Sequence, residues 1–280
     1  MSKKDIFGQK HELWLAILFG SFSVKDEKIS DILYDFAMIE YRHLNWLGSK
    51  LTSEGFKVGY EKGEIDYKAK DNFELFEKLI SLIKAIKASY PKDQSALFSR
   101  FKSDEDYFLQ KLTSLLKDPK NRQEITAYDK NRKLEGFELS SDQTDALTLF
   151  LFEESYKEYE LILVYTYANF FTDSKLLSNI FADLIYESHF HLKSFAKMMS
   201  EMGILTMPRE IMEQVYRFDD LEKFLIDGIK EEEGAKEECV RLAKSIDHEE
   251  LSDFFFFINN QEDYHIELMK KALSHIKENS

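Results

Sequence analysis

Apolar residues recur at three- and four-residue steps along nearly the whole chain, and that period commits it to helices. Between Ile29 and Leu51 one stripe runs through Ile29, Ile32, Leu33, Phe36, Ile39, Leu44 and Leu47, the pattern of a helix with one face in a core. The same spacing returns over residues 176–199, 221–242 and 251–273. Only 10 Gly and 3 Pro punctuate the 280 residues, too few for the turns of an all-β sandwich. With 44% hydrophobic residues the chain can build a packed core and is too apolar for disorder. The expected fold class is all-α.

Three stretches interrupt the period. Residues 54–71 carry Gly55, Gly59 and Gly63 and read as a long connection. Residues 119–143 begin at Pro119, run through Asp, Asn, Lys and Ser, and read as a linker between domains. A third break surrounds Pro208. The helical segments form four hairpins of about 40 residues, each with a polar turn that carries an Asp: Asp26, Asp93, Asp173 and Asp247. Two hairpins make a four-helix bundle. The expected organisation is therefore an N-terminal bundle over 1–118, a linker over 119–143 and a C-terminal bundle over 144–280.

Charge narrows the partners. The 38 basic residues against 52 acidic leave a net charge of -14, which repels phosphate backbones, so nucleic acid is not an expected partner. The same acidity attracts cations. The apolar run near the N-terminus, 13–20, is shorter than the roughly 20 residues needed to cross a bilayer. Neither a membrane span nor a signal peptide is read, and the expected location is cytoplasmic. A single Cys, Cys239, excludes a disulfide framework and any paired-cysteine metal knuckle.

The informative motif is Glu-x-x-His, present as Glu40-Tyr41-Arg42-His43 and Glu262-Asp263-Tyr264-His265. Three residues apart on a helix, a carboxylate and an imidazole share a face and can hold one ion. Counting from the turns adds context. Glu40 lies 14 residues after Asp26 and Glu12 lies 14 before it; Glu262 lies 15 after Asp247 and Glu233 lies 14 before it. An antiparallel hairpin brings such residues to one height, so Glu12 is expected to face Glu40 and His43, and Glu233 to face Glu262 and His265. In the third hairpin Glu158 lies 15 before Asp173 and Glu187 lies 14 after it. His191 follows Glu187 by one residue too many for the motif, an offset that a π-bulge can absorb; His189 is the competing candidate. In the second hairpin Glu77 and Glu105 are 28 apart, but Glu105 is only 12 from Asp93 and Phe108 stands where a His would, so this half-site reads as degraded.

Paired Glu and Glu-x-x-His halves across a helical bundle resemble the ferritin-like di-iron carboxylate superfamily, and its rubrerythrin branch in particular. The segments 12–47 and 233–273 carry the resemblance. It implies two tandem ferritin-like four-helix bundles. Two irons, or Fe with Mn, would sit in the C-terminal one on Glu158, Glu187, His191, Glu233, Glu262 and His265. The N-terminal bundle would offer Glu12, Glu40 and His43 to a partly degenerate site. The rubredoxin-like cysteine module of full rubrerythrins is missing.

Carboxylate oxygens with a few imidazoles suit Fe(II) or Mn(II). The expected function is a di-metal oxidoreductase of ferroxidase or peroxide-reducing type, acting on O2 or peroxide with an unidentified electron donor. The alternative is a non-catalytic metal-binding or helical interaction module, and a homodimer is compatible with either. His11, His248 and His275 read as surface histidines, Phe254-Phe255-Phe256-Phe257 as a buried helical segment, and Cys239 as a buried small hydrophobe.

Overall fold

The structure, a computed structural model, describes residues 3–60, 66–91, 95–205, 208–217, 220–246 and 248–279. The turn residues Asp93 and Asp247, and Gly63, lie outside the described residues. The chain is all-helical: among the described residues there are nine α-helices, one 3-10 turn at Pro119–Asn121 and no strand. A single isolated antiparallel bridge joins Asp71 and Glu124. No helix among the described residues is long and apolar enough to cross a membrane.

The chain divides into two compact units. Unit 1 comprises Met1–Asn131 with Met199–Glu210, and unit 2 comprises Arg132–Met198 with Ile211–Ser280. The segment 199–210 therefore belongs with unit 1, although it falls within the range read as the C-terminal bundle.

Unit 1 is built on α1 (Lys3–Ser23), α2 (Glu27–Ser53), α3 (Asn72–Ser89) and α4 (Ala96–Leu115). Residues 13–19 of α1 are buried without interruption. A helix that is apolar all round must be covered on every side, and α1 packs against both α2 and α3. Side chains fix the helix starts. Asp26 accepts from the Ile29 amide at 2.9 Å, and Asp71 from the Glu74 amide at 2.9 Å, satisfying donors that have no intrahelical partner.

Unit 2 is built on α5 (Ser141–Phe170), α6 (Lys175–Glu201), the single turn α7 (Glu213–Tyr216), α8 (Leu221–Ile246) and α9 (Glu249–Asn279). Ser140 and Gln143 form a reciprocal capping box at the start of α5. A different contact, a serine hydroxyl on the carbonyl of the preceding helix, joins both the α1–α2 and the α8–α9 hairpin. Ser30 Oγ donates to the Ser21 carbonyl at 2.8 Å, and Ser252 Oγ donates to the Ala243 carbonyl at 2.7 Å. Three expectations are corrected here. His11 is buried against Trp14 and Tyr60, with ring centroids 5.8 and 5.3 Å away. Phe255 is buried, but Phe256 and Phe257 are exposed, because α9 is amphipathic and only one of its faces meets the core. Residue 191 needs no π-bulge to turn inward: α6 is α-helical throughout.

Candidate metal centre

In unit 2 five side chains converge. The ligand atoms of Glu158, His191 and Glu262 lie within 4.8 Å of one another, and so do those of Glu232, Glu262 and His265. Glu262 belongs to both groups, so the two groups share one carboxylate. His191 Nδ1 is 2.8 Å from Glu158 Oε1 and 3.6 Å from Glu262 Oε1; His265 Nδ1 is 3.0 Å from Glu262 Oε2 and 3.7 Å from Glu232 Oε1. All five are buried.

Both imidazoles present Nδ1 to the cluster and Nε2 to an outer partner. His191 Nε2 lies 3.1 Å from Gln261 Oε1, and His265 Nε2 lies 2.8 Å from Glu187 Oε2. An acceptor hydrogen-bonded to Nε2, as Gln261 can be to His191, would hold the proton there and leave Nδ1 free to coordinate; Glu187 approaches His265 Nε2 as an ion-pair partner.

Two expected ligands are corrected. Glu233 is exposed and Glu232 is buried in its place. Hairpin counting gave the depth to within one residue, but one residue is about 100° around a helix, enough to move a side chain from core to solvent. Glu187 stands behind His265 instead of within the cluster. Because α6 has no bulge, Ser188 takes the position three residues before His191, where the other motifs carry Glu; its hydroxyl is buried and makes no hydrogen bond. His189, on another face of α6, is buried outside the cluster, and burial pulls its pKa down to about 3.

A relation emerges that the turn-based counting missed. Glu158 precedes His191 by 33 residues, and Glu232 precedes His265 by 33. In unit 1 the residue 33 before His43 is Lys10. Its Nζ donates to Glu40 Oε2 at 2.5 Å and to Glu105 Oε1 at 2.6 Å, and lies 3.2 Å from His43 Nδ1. Lys10, His43 and Glu105 are fully buried and Glu40 nearly so. His43 Nε2 is 2.9 Å from Asp104 Oδ2, so the outer partner precedes an inner Glu here just as Gln261 precedes Glu262. Tyr90 Oη donates to Glu105. Glu105, doubted on sequence grounds, thus belongs to the cluster.

Glu12 does not. Two residues beyond Lys10, it points to the opposite side of α1 and lines a separate cavity of about 530 Å³ with Asp66, Glu74, Glu77 and Lys78. In the second hairpin Phe108, three residues after Glu105, is buried and apolar where a His would stand, and the residue 33 before it, Leu75, packs against Gly20, ten residues along α1 from Lys10. Unit 1 therefore keeps the outline of one half of the cluster, with an ammonium among its donors, and carries Phe108 where the other half has its His. Its residues do not fit a resident di-metal pair.

Each cluster holds one carboxyl below its usual range, Glu40 and Glu232, and one above it, Glu105 and Glu262. In unit 1 burial works against the Glu40 carboxylate, but the Lys10 charge and the His43 hydrogen bond outweigh it and hold the carboxyl below its usual range. In unit 2, among the described residues, no Lys or Arg sits between the carboxylates of the cluster. Burial, with the neighbouring Glu232 charge, pushes Glu262 well above the carboxylate range. Burial disfavours charge on His191, yet Glu158 and Glu262 raise it to about 9. Glu158 Oε2 is buried and accepts no hydrogen bond. Three buried carboxylates with two imidazoles, and an acceptor left unmatched, are a donor set that could hold a divalent cation.

A cavity of about 100 Å³ reaches this cluster between α5 and α8. Glu158, Glu232, Glu262 and Tyr165 line its inner part, with Glu160 and Glu231 also on its wall. Tyr165 Oη is buried without a hydrogen-bond partner. No known protein family, characterised protein or solved structure matches this chain.

Proposed function

We propose that unit 2 is a ferritin-like four-helix bundle holding a dinuclear iron or manganese centre, and that the chain is an oxidoreductase of ferroxidase or peroxide-reducing type. A second bundle of the same ancestry lies before it in tandem. The observation that carries this reading is the sharing of Glu262 by two Glu–His pairs of identical 33-residue separation. Such a centre would be held by Glu158 and His191 on one side, by Glu232 and His265 on the other, and by Glu262 between them. When bound, a pair of redox metal ions supplies the electrons that reduce O2 or peroxide.

The protein's own groups set the conditions. Gln261 and Glu187 fix the two imidazole rings. Burial excludes bulk water. The cavity of about 100 Å³ admits small molecules such as O2 or hydrogen peroxide to the cluster. With Cys239 the single thiol and buried, electrons would come from an external donor.

The second reading is a metal-binding module without turnover. It is favoured by Ser188, which leaves the cluster one bridging carboxylate short. One experiment separates the two. The purified chain is loaded with Fe(II) or Mn(II), its metal content is measured, and O2 and hydrogen peroxide consumption is compared with that of the free ion. The oxidoreductase reading expects two ions per chain and faster consumption. Bound metal with no faster consumption supports the module, and less than one ion per chain removes both readings.

A further inference from the structure

Unit 1 departs from unit 2 by a charge reversal at one position. Lys10 and Glu158 occupy equivalent places: each lies 33 residues before a buried His, and each contacts that residue's Nδ1, at 3.2 Å for Lys10 and 2.8 Å for Glu158. Around Lys10 the partners are those a cation position would need. Glu40, His43 and Glu105 are buried, and their ligand atoms lie within 4.8 Å of one another. Asp104 stands on His43 Nε2 as Gln261 stands on His191 Nε2. The Lys10 Nζ also lies 4.7 Å from the centroid of the Phe101 ring.

We propose that the Lys10 ammonium is a built-in cation standing where unit 2 would take a divalent ion, and that Glu40, His43 and Glu105 form a latent metal site which this side chain keeps closed. The charge balance supports the substitution. In unit 2 an anionic Glu158 together with a dication supplies the net positive charge that Lys10 brings by itself. The class of ligand follows from the donors: two carboxylates and one imidazole select a hard divalent ion such as Mn(II), Fe(II) or Co(II). Opening the site yields one ion and not two, because Phe108 stands where a second position would need its histidine. The orienting partner has changed with it. Ile39, four residues before His43, stands where an acceptor would be needed if Phe108 were a histidine; Glu187 and Gln261 fill the corresponding places in α6 and α9.

The test uses the full-length chain and Co(II), read by equilibrium dialysis with elemental analysis and by the visible absorption of bound cobalt. Lys10→Glu should gain one ion per chain over wild type. That ion should persist in a chain that also carries Glu262→Gln and disappear when Glu40→Gln is added. Lys10→Ala should gain the same ion with weaker affinity, since three donors and space remain. Folding is followed by circular dichroism with and without Co(II), and a variant that folds only with the metal supports the proposal. Folded Lys10→Glu and Lys10→Ala chains that bind no more cobalt than wild type overturn it. So do variants that stay unfolded in excess cobalt, because the ion then fails to replace the ammonium. A Glu40-dependent cobalt site in the Glu262→Gln chain with Lys10 intact also overturns it, since the lysine would not be closing anything. Failure of unit 2 to bind metal would defeat the proposed function and leave this result standing on its own.

Discussion

A carboxylate one position along a helix can be either a ligand or part of the solvated surface, and Glu232 and Glu233 show both. Glu262→Gln removes the carboxylate common to both cation positions and should abolish metal binding in unit 2. Glu233→Gln should leave it unchanged within error, with metal content per chain as the measurement. Glu187→Gln should weaken binding about 10- to 100-fold without abolishing it, the usual effect of losing a group that orients a ligating histidine. Equal loss from Glu233→Gln and Glu262→Gln would contradict the arrangement. Lys10 makes a pH-dependent prediction. Glu40 is held below its ordinary value of 4.5, so the stability it contributes is in place above that pH and is lost as pH falls through the lowered value. Glu105 is raised by burial and by Glu40, so its contribution runs the other way: full at low pH and lost as pH rises through the raised value. Lys10→Met strands both carboxylates. It should cost about 3–5 kcal/mol near neutral pH, and the deficit should shrink on acidification as the carboxyls take up protons. Urea titrations between pH 4 and 7 would detect this, and a deficit independent of pH would be the contrary result. The Glu-x-x-His motifs were legible because chemistry and period coincide in three residues. Lys10 was not, because a lysine announces no metal chemistry; only its 33-residue distance from His43 marks its place.

At the scale of the element, the sequence revealed amphipathic helices such as α2 and α9 and was silent on the faces of α1 and α5. The runs 13–19 and 162–166 are buried on every side, so they carry no stripe to read. The counting of heights failed for a related reason. It assumes equal arms about each turn, whereas the length and geometry of the connections shift one arm against the other, by two residues at Lys10 and one at Glu232. Helix ends obeyed local chemistry more closely. Gly203 ends α6 with φ +72, and the amides of Gly203 and Ile204 return to the carbonyls of Ser200 and Met199 at 3.0 and 2.9 Å, a Schellman-type closure. A Cβ at this position would meet the Lys130 amide nitrogen at 2.8 Å, and backbone cannot swing aside as a side chain can. Gly203→Ala should therefore cost about 2 kcal/mol or more, measured by chemical denaturation. Gly55→Ala has a positive φ but open space around it and should cost less.

For the whole molecule, the two clusters predict unequal responses to metal. Binding to the native state alone stabilises by RT ln(1 + [L]/Kd), about 2.7 kcal/mol when the ion is at 100 times its Kd. If unit 2 takes the metal and unit 1 is closed by Lys10, Mn(II) should raise the unfolding transition of unit 2 and leave that of unit 1 in place, and EDTA should reverse the shift. Tryptophan emission reports on unit 1, where both Trp14 and Trp46 reside; far-ultraviolet circular dichroism reports on both units. A metal-dependent shift in the tryptophan transition would contradict the assignment. The sequence placed a break at Pro119 and the polar stretch after it, and the two compact units part inside that stretch, between Asn131 and Arg132. The return of 199–210 to unit 1 was not legible, because it depends on backbone pairing between distant residues that leaves no compositional trace.

That return shapes any attempt to dissect the protein. The Lys130 amide donates to the Gly203 carbonyl at 2.9 Å and the Leu205 amide to the Ala127 carbonyl at 2.8 Å, so the end of the first half is clasped by a strand of chain encoded some seventy codons later. A gene cut at the boundary between Asn131 and Arg132 would yield a front fragment without its clasp and a rear fragment with an orphaned one. A circular permutant, or co-expression of overlapping pieces, is the route by which either half could be studied alone.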